Sequence, residues 1–197
     1  MRAQIFFGLV IALTMTFVSS WAQAITIEFV PAIQTTSLGK LASVDILVSD
    51  LGDGAAPSLG AFDLDVTFDP TILAPASVTF GPFLGDPMDP LATLTVYSFA
   101  PGVVDLAEVS LLFDFELDTL QPGGFPLATL TFVTLGFGTS PLSLFQVELS
   151  DAGFPPSSLS VDSLSGSVSV VPEPSSVALL GIGLGLSVWW RRARQTR

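Results

Sequence analysis

The chain has 197 residues, 18 of them acidic against six basic, with no histidine and no cysteine. The absences exclude Ser-His-Asp and Cys-His catalysis, His-ligated zinc and a disulfide framework. The acidic balance opposes nucleic acid and anionic headgroups as partners, and leaves divalent cations, basic protein surfaces and neutral glycans.

The N-terminus has the pattern of a secretory signal. Arg2 supplies the positive start, Ile5 to Val18 is an apolar stretch of 14 residues, and Ala22-Gln23-Ala24 forms a small-residue cleavage site. These features predict a helical signal peptide over residues 1–24, removed by signal peptidase after Ala24. An uncleaved anchor is the alternative, and the shortness of the apolar run disfavours it.

From Ile25 to Val171 the composition shifts to β-branched and aromatic residues, punctuated by Gly, Pro, Ser and Asp. This segment carries 17 acidic residues against Lys40 alone, a formal charge of −16. The pattern predicts strands near 26–30, 41–48, 60–68, 77–80, 92–99, 103–107, 109–117, 126–133, 142–149 and 159–170. Two of them alternate clearly. Phe62, Leu64, Val66 and Phe68 fall on one face, with Asp63, Asp65 and Thr67 on the other. In the 109–117 segment, Leu111, Phe113, Phe115 and Leu117 share a face, with Asp114, Glu116 and Asp118 opposite. A strand with one dry and one acidic face has its register fixed, because a one-residue slip would bury carboxylates.

Phe68-Asp69-Pro70-Thr71-Ile72-Leu73 reads as a turn that returns the chain to the core. Pro70 fixes φ and biases Asp69 toward extended backbone, and the Asp69 carboxylate is placed to accept N–H groups just beyond, as an Asx turn. Leu59–Leu84, with this Phe-Asp-Pro-x-x-Leu turn, is similar to the opening half of a cohesin domain. The stretches Ser43–Gly52 and Pro126–Asp151 fit the same pattern. The resemblance implies an all-β fold, a jelly-roll sandwich of about nine strands over residues 25–170. That fold is shared with some carbohydrate-binding modules.

Calcium takes six to eight oxygen ligands, and carboxylates at i and i+2 of a strand lie about 6.5–7 Å apart, too far to chelate one ion unaided. Loop carboxylates are better placed, which makes Asp50, Asp53, Asp86 and Asp89 weak calcium candidates against a reading as solvated charge. A glycosidase needs two carboxylates across a cleft, and no pair here is specific. Sugar platforms rely on Trp and Tyr, yet between the two ends only Tyr97 is present. Phe83, Phe125, Phe137 and Phe154 lie beside Gly or Pro, either as interface anchors or as plugs at the open ends of the sandwich.

The C-terminus brings Pro172-Glu173-Pro174, then 14 apolar residues from Val177 to Trp190, then Arg191, Arg192, Arg194 and Arg197. As a helix the run spans about 21 Å against a hydrocarbon core of about 30 Å, short for a comfortable span. The arginines place the end in the cytoplasm. The segment 171–197 resembles a PEP-CTERM sorting signal. The resemblance implies export in a Gram-negative bacterium and an inner-membrane-anchored intermediate held by the tail helix. It further implies processing by an exosortase near the Pro-Glu-Pro motif, and association with the cell surface, exopolysaccharide or biofilm matrix. Together these readings predict a non-enzymatic adhesion or assembly module with a surface-protein partner and no required cofactor. The alternative is a polysaccharide-binding module, aided by calcium.

Overall fold

A computed structural model describes residues 24–173. The expected signal helix, its cleavage residue Ala22, and the tail from Pro174 with Arg191, Arg192 and Arg194 lie outside the described residues. Eleven strands and one short helix follow in order: β1 (Ile25–Val30), β2 (Ile33–Ser37), β3 (Leu41–Ser49), β4 (Leu59–Thr67), β5 (Leu73–Phe80), β6 (Thr93–Ala100), β7 (Val103–Ser110), α1 (Asp114–Leu120), β8 (Gly124–Thr134), β9 (Gly138–Asp151), β10 (Val161–Ser163) and β11 (Gly166–Val171).

The strands form two sheets, β10-β1-β3-β8-β5 and β2-β11-β9-β4-β7-β6. The chain changes sheet twice over a break of only two residues, between β1 and β2 at Pro31-Ala32 and between β10 and β11 at Leu164-Ser165. Counting each switching pair as one strand gives the nine of the expected jelly-roll sandwich. Gly166 sits at the second switch, where an added Cβ would lie 2.8 Å from the Phe29 Cβ, so the close approach of β11 to β1 requires a bare backbone.

The core lies between the sheets. Phe62, Leu64 and Val66 of β4 point inward and are buried, while Asp63 and Asp65 face out, as their alternation predicts. Opposite them stand Val44, Ile46 and Val48 of β3 and Leu130 and Phe132 of β8. Phe68 meets Phe132 across the gap with ring centroids 5.3 Å apart. A fully buried Leu, Ile or Phe contributes about 1.5–3 kcal/mol before chain entropy is subtracted. In β8 a register shift opposite Ile46/Leu47 lets both Leu127 and Ala128 bury their side chains.

The Phe-Asp-Pro turn forms as read. Asp69 Oδ1 accepts from the Thr71 amide at 2.8 Å and from the Thr71 hydroxyl at 2.6 Å, and the Asp69 carbonyl accepts from the Ile72 and Leu73 amides. The Thr71 bonds hold the Asp69 carboxyl below the usual carboxylate range.

One expected strand is a correction. The 109–117 segment is not a single strand: β7 ends at Ser110 and α1 begins at Asp114. Glu116 reaches back to accept from the Phe113 amide at 2.9 Å, half of a capping box, and Asp114 and Glu116 sit in the first turn, where the helix dipole favours acids. Leu117 alone is buried, while Phe113 and Phe115 stack on each other in solvent at 5.6 Å. The long 159–170 strand is likewise divided into β10 and β11, and β2 was not anticipated.

Candidate functional site

The outer face of the six-stranded sheet carries the groups that the core does not use. β4 lies between β7 and β9, so its outward residues meet both neighbours: Asp63 is opposite Ala107 and Glu148, and Asp65 is opposite Asp105 and Gln146. Four carboxylates, Asp63, Asp65, Asp105 and Glu148, therefore share this face, and Lys40 is the only cation among the described residues. Partial burial first, then the charges of Asp105, Glu148 and Asp65, push the Asp63 carboxyl above its ordinary value. Repulsion of this kind is relieved by an incoming cation.

Small side chains shape the same face. Ala61 and Ala107, flanked by Asp63, Glu148 and Val109, leave an open hollow of about 550 Å³, which Ser158 and Leu159 wall on one side. Toward the β6 edge the surface turns apolar, with Leu94, Val96 and Val109 exposed beside the acidic row. An exposed apolar strip rimmed by charge suits contact with another macromolecule.

The calcium candidates are dispersed among local bonds. Asp50 Oδ2 accepts from the Thr26 hydroxyl at 2.8 Å, and Asp53 Oδ1 accepts from the Gly123 amide at 3.3 Å. Asp86 and Asp89 each accept the amide two residues on, from Met88 and Leu91, both at 2.9 Å. Among the described residues no three carboxylates converge as a metal would require. Pro172 and Glu173 follow β11 directly, so the sorting motif starts where the sandwich ends. The four phenylalanines beside Gly or Pro divide. Phe83 and Phe125 pack together at 4.9 Å against the core, whereas Phe137 and Phe154 are exposed, Phe154 at 99%.

Sequence reasoning missed Glu108. The expected strands stop at Ala107 and resume at Val109, leaving Glu108 outside both. In β7, however, Val104, Leu106 and Glu108 all point inward, and Glu108 is only 1% exposed. Desolvation raises its carboxyl to about 7, against a smaller opposing effect of the Thr93 hydroxyl. The signal was present in the period-two run Val104, Leu106, Glu108. Gln121 was missed as well. Buried beneath the helix end, its side chain accepts from the Leu59 amide at 2.7 Å and donates to the carbonyls of Leu59 at 2.8 Å and Phe83 at 3.0 Å.

The PEP-CTERM protein-sorting motif matches residues 170–193. No curated protein sequence matches the chain. The fold is similar to cohesin structures. A chain of the type I cohesin–dockerin complex of OlpA from Clostridium thermocellum is 12% identical, with 76% of this chain and 100% of that one covered and a TM-score of 0.61. The seventh ScaB type I cohesin from Pseudobacteroides cellulosolvens is 16% identical, covering 76% and 94%, with a TM-score of 0.61. A type II cohesin domain from the cellulosome of Acetivibrio cellulolyticus is 16% identical, covering 74% and 95%, with a TM-score of 0.60. The chain thus joins a cohesin-like β-sandwich to a C-terminal PEP-CTERM sorting motif.

Proposed function

We propose that this protein is an exported, non-enzymatic adhesion or assembly module, delivered to the surface of a Gram-negative bacterium and binding another surface protein through the outer face of β9-β4-β7-β6. The signal peptide 1–24 directs export. The PEP-CTERM tail holds the chain at the inner membrane until an exosortase removes it near Pro172-Glu173-Pro174.

The observation that carries the binding reading is the unneutralised row Asp63, Asp65, Asp105 and Glu148 beside exposed Leu94, Val96 and Val109. Its complement is a protein surface with an apolar centre and a basic rim. The likeness to cohesins, among them one from a cohesin–dockerin complex, supports a protein partner over a glycan. The test is capture by the protein of isolated surface proteins and of surface polysaccharide, each with and without a chelator. Protein capture that weakens with salt, and is lost in Asp63→Lys/Glu148→Lys, is expected. Capture of polysaccharide alone, or only when calcium is present, would establish the alternative module instead.

A further inference from the structure

Four strands form the free edges of the two sheets: β10, β5, β2 and β6. An open edge invites pairing with another chain, and proteins blunt such edges with short strands, bulges, prolines or charges. Three of the four are blunted here. β10 has three residues and β2 has five, and β5 carries Pro75 with a register shift between Pro75 and Ser77. β6 has none of these defences. Thr-Leu-Thr-Val-Tyr-Ser-Phe-Ala runs eight residues without a proline or a charge, in a domain of −16.

The backbone pattern shows which groups are open. The Leu111 amide donates to the Ala92 carbonyl at 2.9 Å, and the register continues Leu94↔Val109, Val96↔Ala107 and Ser98↔Asp105. Those residues direct their backbone groups at β7, so the N–H and C=O of Thr95, Tyr97 and Phe99 point along the free edge. Val96 is 65% exposed and Tyr97 51%, so the edge is uncovered among the described residues.

We propose that β6 is a self-association edge, at which two copies of this chain pair antiparallel with Tyr97 on the two-fold axis to make one continuous sheet. This edge adjoins the binding face proposed above and shares β6 with it, but it uses the open backbone groups of the strand where that face uses the outward side chains of Leu94 and Val96. The register follows from the open groups. With Tyr97 opposite Tyr97 of the second copy, Thr95 meets Phe99 and every residue that bonds across has a free N–H and C=O. Centring on Val96 instead would require the Thr93 amide, which already donates to the Asp89 carbonyl at 3.2 Å. The chosen register also sets Val96 against Ser98 and Leu94 against Ala100, all uncharged. The outward carboxylates of β7, the two Asp105 side chains, are then at least three strand spacings apart, more than about 14 Å, beyond a screening length of about 8 Å.

The chain lacks cysteine, which makes disulfide trapping a direct test. The full chain in mild detergent would be studied by sedimentation over a range of concentrations, and single-cysteine variants would be oxidised. Tyr97→Cys is expected to link to itself. Thr95→Cys and Phe99→Cys are expected not to self-link but to link to each other when mixed. Circular dichroism checks that each variant is folded. Val96→Asp, a change at an exposed position, is expected to weaken self-association at least about tenfold by placing like charges at the junction. A chain that stays monomeric throughout, equal linking at all three positions, or a dimer that survives Val96→Asp would overturn the proposal. So would cross-links from Tyr97→Cys to a different protein in place of a second copy.

Discussion

Replacing Glu108 with glutamine should stabilise the sandwich at pH 8 and leave it unchanged near pH 4.5. Glu108 is buried with its Oε2 unpartnered, and the Thr93 Oγ1 lies 3.0 Å from both Glu108 Oε1 and the Val109 carbonyl. Thr93 has one hydroxyl proton for two acceptors. A protonated Glu108 removes the conflict by donating to Thr93, whose own proton then serves Val109. The geometry and the rise from 4.5 to about 7 therefore both favour the neutral acid. In the unfolded chain Glu108 ionises near its ordinary value, so between about pH 4.5 and 7 the folded state holds the extra proton. Stability then falls as pH rises through this window and levels off above it. The full shift corresponds to on the order of 3 kcal/mol, and solvent penetration reduces it to about 2–3 kcal/mol. Urea unfolding of wild type and Glu108→Gln at pH 4.5, 6, 7 and 8 separates this from the self-repulsion of the other carboxylates, which both proteins share. The reasoning fails if the two curves run parallel across the window, or if the variant is the less stable protein at pH 8.

Other consequences are simpler to read. Gln121→Leu leaves the Leu59 amide and the carbonyls of Leu59 and Phe83 without their side-chain partner, and should cost about 2–4 kcal/mol in urea unfolding. Leu64→Ala in the core should cost about 2–5 kcal/mol, while Leu94→Ala on the exposed edge changes stability by less than about 0.5 kcal/mol. Glu116→Ala removes the bond to the Phe113 amide and should loosen α1 by about 0.5–1 kcal/mol, seen as faster amide exchange at Leu117. A strand at this position would show no such local response.

The fold was legible wherever one face of a strand is dry. Asp63 and Asp65 could not be buried, so the alternation in β4 fixed both its register and its outward acids. The Phe-Asp-Pro turn was equally readable, because Pro70 and the Asp69 carboxylate act on residues adjacent in sequence. α1 was not, because Leu111, Phe113, Phe115 and Leu117 imitate a strand, although Phe113 and Phe115 end in solvent. The competing local signal was Glu116 three residues beyond Phe113. β2 escaped notice because Ile33 is exposed and the strand is held by parallel pairing with β11, more than a hundred residues away. The outward acids Asp63 and Asp65 of β4 were visible in its alternation. Their convergence with Asp105 is a product of sheet order, in which β4 lies between β7 and β9.

The most direct test of the account is the intact mass of the protein recovered from the cell surface. Removal of Met1–Ala24 and of the tail beyond about Pro174 would give a mature chain comprising the acidic sandwich alone, as the account predicts. A mass that retains Trp189-Trp190 and the terminal arginines would contradict it, and would make the tail a permanent anchor.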